Sequence, residues 1–208
     1  MSHVSPRPQQ ASEVNLVSLL EDPEQQVFLM TAPGPQTGTT TAARQLAEQL
    51  ARSAMGRILL IDTSLSDQSL TREAGLAEAP GLIEALQQQA ISSAVTSSHY
   101  VSFDVLPLGR RQFWQDGLYH RQLRPLLNEL RSRYRFIIID SDAVYTSADT
   151  LMLSALVDGV ILVVAGENTR WEVAQATVQR LRQSGAKLLG TIFNRRKYYM
   201  PRWLYDQL

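Results

Sequence analysis

Residues 31–41 read TAPGPQTGTTT, set between the apolar run VFLM and the helix-like stretch AARQLAEQLA. A glycine-rich turn between a strand and a helix is a place for phosphate chemistry. In the pattern G-x-x-x-x-G-K-[ST], backbone N–H groups cradle phosphates, the lysine reaches the β/γ oxygens and the hydroxyl ligates magnesium. Setting Gly38 on the second glycine puts Thr39 at the lysine and Thr40 at the hydroxyl. The first glycine then falls on Pro33, with Gly34 one place late. The candidate phosphate-binding residues are Gly34, Gln36, Thr37, Gly38, Thr39, Thr40 and Thr41. No lysine occurs before Lys187, so nothing nearby in the chain replaces the missing one. A hydrogen bond from a charged group contributes about 1.5–3 kcal/mol to binding, and its role in phosphoryl transfer is larger. The substitution therefore predicts weakened binding and severely weakened chemistry. The competing reading is an ordinary Gly/Pro turn.

Two apolar runs end in a carboxylate, ILLID at Asp62 and FIIID at Asp140. Two such groups at strand ends can hold a magnesium ion that brings its own phosphates. Taken singly, either aspartate is equally an ordinary strand terminator. What must position them is an alternation of short apolar runs and helical stretches. VFLM (27–30), ILLID (58–62), FDVLPL (103–108), FIIID (136–140), VILVV (160–164) and LLGTIF (188–193) read as strands. The stretches 40–53, 81–89, 123–133, 148–156 and 169–184 read as helices, the first with Ala43, Leu46, Ala47 and Leu50 on one face. The pattern predicts an α/β fold of three layers, α/β/α: a mainly parallel sheet with helices on both faces. Three segments follow: a leader at 1–12, one domain at 13–194 opening with a short helix at Glu13–Leu20, and a basic, aromatic tail at 195–208.

The chain of 208 residues can bury a full core, and it has no cysteine for disulfides or thiolate metal sites. Acidic and basic residues balance at 20 each, which argues against a nucleic-acid partner. No apolar run nears the roughly 20 residues that span a membrane, and MSHVSPRPQQASEV lacks the apolar core of a secretory signal. The expected location is the cytoplasm.

Further segments carry a resemblance. ILLIDTSLSDQSL (58–70) resembles the second acidic motif of the bacterial tyrosine kinases, an apolar run followed by D-x-D-L-R-x-P. FIIIDSDAVYTSAD (136–149) is similar to their Walker B strand and loop, and AGLAEAPGLIEAL, LVDGVILVV and GAKLLGTIFN resemble their remaining signature segments. In order and spacing the likeness runs from about residue 26 to Asn194. That family is the cytoplasmic kinase domain of polysaccharide chain-length systems, in the MinD/ParA-like group of P-loop ATPases, and the resemblance implies that fold. It implies ATP or ADP with magnesium as ligands, weakly held here. Asp62 and Asp140 take the catalytic and metal-binding positions, joined at the metal by Thr40. The motif's second aspartate corresponds to Ser64 and its arginine to Ser66, so both are lost. Asp142 stands where the pattern has proline and reads as a solvated loop charge.

The resemblance implies as partner an inner-membrane polysaccharide chain-length regulator (co-polymerase), a place at the inner-membrane periphery, and room for a homodimer. The E-x-x-R-x-x-R ring-assembly helix has no counterpart in EVNLVSLLEDPEQQ. Tyr198, Tyr199 and Tyr205 lie where the family carries its phosphoacceptor cluster. The same tail also reads as a membrane or partner contact through Tyr199, Trp203 and the surrounding arginines, or as a segment packed on the body. Three functions follow. The first is a pseudokinase that regulates or scaffolds exopolysaccharide or capsule synthesis. The second is an active autokinase using another cation, an arginine of the Gly109–Arg110–Arg111 loop or of a neighbouring subunit. The third is a Min/Par-type positioning ATPase.

Overall fold

The computed structural model of the protein describes residues 25–53, 56–67, 69–88, 96–97, 102–113 and 118–195. The leader, the predicted Glu13–Leu20 helix and the tail tyrosines Tyr198, Tyr199 and Tyr205 lie outside these residues. In chain order the first half forms β1 (Val27–Thr31), α1 (Thr39–Ser53), β2 (Ile58–Asp62), α2 (Leu70–Glu73) and α3 (Leu82–Gln88). There follow β3 (Thr96–Ser97), β4 (Asp104–Leu106), a 3-10 turn at Arg111–Phe113 and α4 (Leu118–Arg131). The chain continues through β5 (Phe136–Asp140), α5 (Ala148–Ser154), β6 (Gly159–Ala165), α6 (Trp171–Gln183) and β7 (Leu188–Asn194).

The strands form one sheet in the order β3-β4-β2-β5-β1-β6-β7. Every pairing is parallel except that of β3 with β4. β1, β2, β5 and β6 are buried at every position, as strands covered on both faces must be. Alternation along β1 divides the core. Val27 and Leu29 pack with α3 to α6 on one face, through Leu82, Leu86, Leu123, Leu127, Leu153 and Leu181. Phe28 and Met30 pack on the other face with Ala43, Leu46, Ala47 and Leu50 of α1 and with Leu70 of α2. This is the predicted three-layer α/β/α arrangement.

Three elements differ from expectation, the first being the four-residue α2, which none of the expected helices covers. α4 starts at Leu118, five residues before Leu123, and runs through Pro125. Pro125 is exposed, while Leu123, Leu126, Leu127 and Leu130 give the helix a buried stripe that outweighs one missing backbone bond. The short antiparallel β3 carries no apolar run that sequence could report.

Candidate functional site

Parallel strands deliver their C-terminal ends to one edge of the sheet, where ligands of open α/β folds bind. The register places Asp62 of β2 beside Asp140 of β5, and Asp140 beside Met30 of β1. The loops after these three strands meet around a cleft of about 430 Å³. Gly34, Gln36, Thr37, Gly38, Thr39, Thr40 and Thr41, all expected from sequence, line it, together with Ser64, Glu73, Asp142 and Arg195. Because α1 begins at Thr39, the positive end of its dipole also opens here.

The loop turns through Gln36 and Gly38, both left-handed, with φ of 59° and 84°. Gly34, one place late in the pattern, takes neither a positive φ nor a tight packing position. At Gly38 a side chain would collide with Asn194, whose Nδ2 comes 2.2 Å from an added Cβ. Asn194 at the end of β7 clips the turn by donating from Nδ2 to the carbonyl of Thr37 at 2.9 Å. Thr39, in the lysine's place, is hydrogen-bonded through its hydroxyl to that of Thr37 at 3.0 Å. The position thus contributes a neutral hydroxyl engaged with the loop itself.

The carboxylates divide into three kinds. Asp62 is fully buried, and its oxygens accept from the Ser64 N–H at 2.9 Å, the Thr71 N–H at 2.7 Å and the Thr71 hydroxyl at 2.5 Å. It therefore anchors α2. Burial raises its pKa, against the opposing pull of the Thr71 and Ser64 donors. Asp140 is 1% exposed, and neither oxygen makes a hydrogen bond of normal geometry. Burial first and the neighbouring Asp62 carboxylate second push it well above the ordinary range, while the Thr40 hydroxyl pulls the other way. Asp142, expected as a solvated charge, is instead held across the cleft. Ser64 donates its hydroxyl to Oδ1 and the Leu65 N–H donates to Oδ2 at 3.0 Å. Thr31 and Thr150 fix its carbonyl at 2.8 and 3.0 Å.

Buried, unpaired carboxylate oxygens beside a hydroxyl fit a hard divalent cation. Asp140 and Thr40 would hold it, whereas Asp62 Oδ2 already accepts from two protein donors. Such an ion supplies positive charge to phosphate oxygens. Among the described residues no cluster of three or more His, Cys, Asp or Glu forms a metal site unaided, so phosphate and water would complete the shell.

The arginine loop does not replace the lysine. Arg110 donates through Nε to Glu84 at 2.9 Å and stacks on Phe113 at 4.9 Å. Arg111 donates to the Ser66 carbonyl at 2.6 Å and lies 3.5 Å from Asp67. Neither lines the cleft; Arg195 does, with φ of 53°. Sequence reading does not give Arg195 and Glu73 as cleft residues, or Asn194 as the clip on the phosphate loop. The asparagine that ends LLGTIFN was the available signal, since a polar residue closing a strand next to the loop strand is placed to touch it.

No family model matches the chain. It is 28% identical over 171 residues to the tyrosine-protein kinase ptk of Acinetobacter johnsonii, covering 81% of this chain and 23% of the relative. It is 25% identical over 182 residues to the succinoglycan biosynthesis transport protein ExoP of Rhizobium meliloti, covering 85% and 23% respectively. The chain thus spans about a quarter of the length of these curated relatives. Among solved structures, the VpsO kinase domain superposes with a TM-score of 0.77 at 30% identity, over 88% of this chain and 92% of that one. The cell-division protein MinD of Aquifex aeolicus shares the fold at a TM-score of 0.67 and 20% identity, over 88% of this chain and 72% of that one.

Proposed function

The chain belongs to the bacterial tyrosine-kinase family, and from that premise we propose that it is a nucleotide-binding pseudokinase, regulating or scaffolding exopolysaccharide or capsule assembly. The observation that carries this is Thr39, whose hydroxyl is bonded to Thr37 where a lysine should grip the terminal phosphates. Phosphoryl transfer must stabilise charge on the transferring oxygens, and a neutral hydroxyl does little of that. Binding depends less on one cation. The loop amides, the α1 dipole and the Asp140–Thr40 pair remain as a cradle for ADP or ATP with magnesium.

The polysaccharide setting is supported by ExoP, a relative named for succinoglycan biosynthesis and transport. The partner we assign is the cytoplasmic end of an inner-membrane chain-length regulator, with nucleotide occupancy setting the docked conformation. Among the described residues no helix is long and apolar enough to cross a membrane; we assign any position at the membrane to that partner or to the tail. One observation favours a second reading, an active autokinase with a different cation: Arg195 lines the cleft.

Calorimetric titration with ADP and magnesium, run beside Thr39→Lys, tests the assignment. The wild type is expected to bind, and the variant to bind about tenfold more tightly, the worth of a charge-assisted phosphate contact. ATP-dependent phosphorylation of Tyr198, Tyr199 or Tyr205 by the wild type, abolished by Asp140→Asn, would overturn the pseudokinase in favour of the second reading. No heat from either protein would remove nucleotide binding altogether.

A further inference from the structure

The family's acidic motif has its second aspartate where this chain has Ser64, and that loss alone would leave the loop after β2 without a carboxylate at the cleft. The structure shows what stands there instead. Asp142 lines the cleft opposite the phosphate loop, on the extension of β5, two residues beyond the orphaned Asp140. Its Oδ1 receives the Ser64 hydroxyl and its Oδ2 the Leu65 N–H, both from the β2 loop. The Ser66 N–H in turn donates to Ser64 Oγ at 3.1 Å, which fixes the serine as a donor toward Asp142. Two donors of one loop therefore hold the carboxylate in a single orientation at the junction of the two acidic loops. A plain surface charge has no need of such support, and two threonines anchor its backbone as well.

From this geometry we infer that the second cleft carboxylate has been exchanged between loops: Asp142 serves, with Asp140 and the Thr40 hydroxyl, as a divalent-cation ligand of the nucleotide site. The inference rests on the proposed nucleotide-binding reading. It explains why Ser64 is a small donor, because an aspartate there would set two carboxylates in contact. It also accounts for Asp140, whose unpaired oxygens need a cation and have no lysine to provide one. The remaining acid at the cleft, Glu73, is exposed on α2 and is left to solvent.

The test compares wild type, Asp142→Asn, Ser64→Asp and the exchange variant Ser64→Asp/Asp142→Asn. Each is titrated with Mg²⁺ at fixed ADP, and separately with Mn²⁺ alone, followed by its electron paramagnetic resonance signal. Circular dichroism melts confirm folding, which Asp142→Asn preserves because an amide oxygen still accepts from Leu65. Asp142→Asn is expected to weaken cation binding at least about tenfold, the loss that even an outer-shell partner's removal brings. The exchange variant is expected to recover most of it, and Ser64→Asp alone to melt lower than wild type. Nucleotide binding whose Mg²⁺ dependence is the same in wild type and Asp142→Asn would overturn the exchange and leave the proposed function intact. If no variant binds ADP, the proposed function fails, and the Mn²⁺ titration decides alone: equal affinities for wild type and Asp142→Asn overturn the inference.

Discussion

At the scale of single residues, the site is built against local stability. Asp140 is buried with both oxygens unpaired, and a buried polar group without partners costs about 1–3 kcal/mol, more when charged. Asparagine has nearly the same shape and no charge. Asp140→Asn is therefore expected to raise the metal-free protein's stability by about 1 kcal/mol or more, read as a higher urea midpoint in EDTA at neutral pH. With magnesium and ADP present the order should reverse, because only the aspartate gains an ion. A variant that is less stable than wild type in EDTA would mean that Asp140 already has a partner in solution. Thr71 behaves oppositely. Its hydroxyl donates to Asp62 and accepts from the Leu108 N–H at 2.8 Å, so Thr71→Val should cost about 1–3 kcal/mol by leaving both ends unmet. Thermal melts of the purified variant check this, with a shift of less than about 2 °C counting against it.

Among elements, the contact that sets the loop is the one between β7 and the turn before α1. Gly38 has φ of 84°, and its missing Cβ leaves room for Asn194. Gly38→Ala should destabilise by about 1–2 kcal/mol from backbone handedness alone, with a further cost from the clash. In an Asn194→Ala background the clash disappears, so the two losses should be less than additive in denaturant titrations. Full additivity would place Asn194 away from the loop. Six of the seven strands are legible as apolar runs, four of them because a strand buried on both faces must be continuously apolar. Thr96–Ser97 has no such run, and the expected helix over 123–133 contains Pro125 but lacks the start of α4 from Leu118. The phosphate loop was legible from its glycine, its threonines and its place between strand and helix. Asp142 was not, because its meaning lies in a contact with Ser64 that no local spacing reports. Arg110 is held away from the cleft by a contact of the same kind. Glu84, fixed by the Gly81 N–H at 2.8 Å, captures it and turns the GLIE segment into a clip between α3 and the loop after β4.

Across the whole molecule, the two ends of the sheet respond to protons with opposite sign. At the end away from the cleft, Arg131 grips Asp158 with bonds of 2.6 and 2.8 Å, and the Gln26 and Val27 N–H groups donate to the same carboxylate. Burial alone would raise Asp158, but the Arg131 pair and those two amides outweigh it and hold the group below the ordinary carboxylate range. A lowered acid binds fewer protons folded than unfolded. Its stabilisation is complete above the unfolded value of about 3.9 and is lost as pH falls below that. At the cleft end Asp140 is raised, so the folded state binds more protons than the unfolded one, and stability falls as pH climbs above about 3.9. Asp62, raised by burial, acts in the same direction. The metal-free protein should therefore be most stable at mildly acid pH, between the ordinary carboxylate value and neutrality. Magnesium with ADP should flatten the neutral side, since the ion favours the charged form of Asp140. Asp158→Asn should flatten only the acid side. Urea midpoints measured from pH 3 to 8, with and without magnesium and ADP, read both limbs at once. A metal-free protein whose stability keeps rising to neutrality would show that the cleft carboxylates carry no uncompensated charge, and the cation site drawn from them would fall with it.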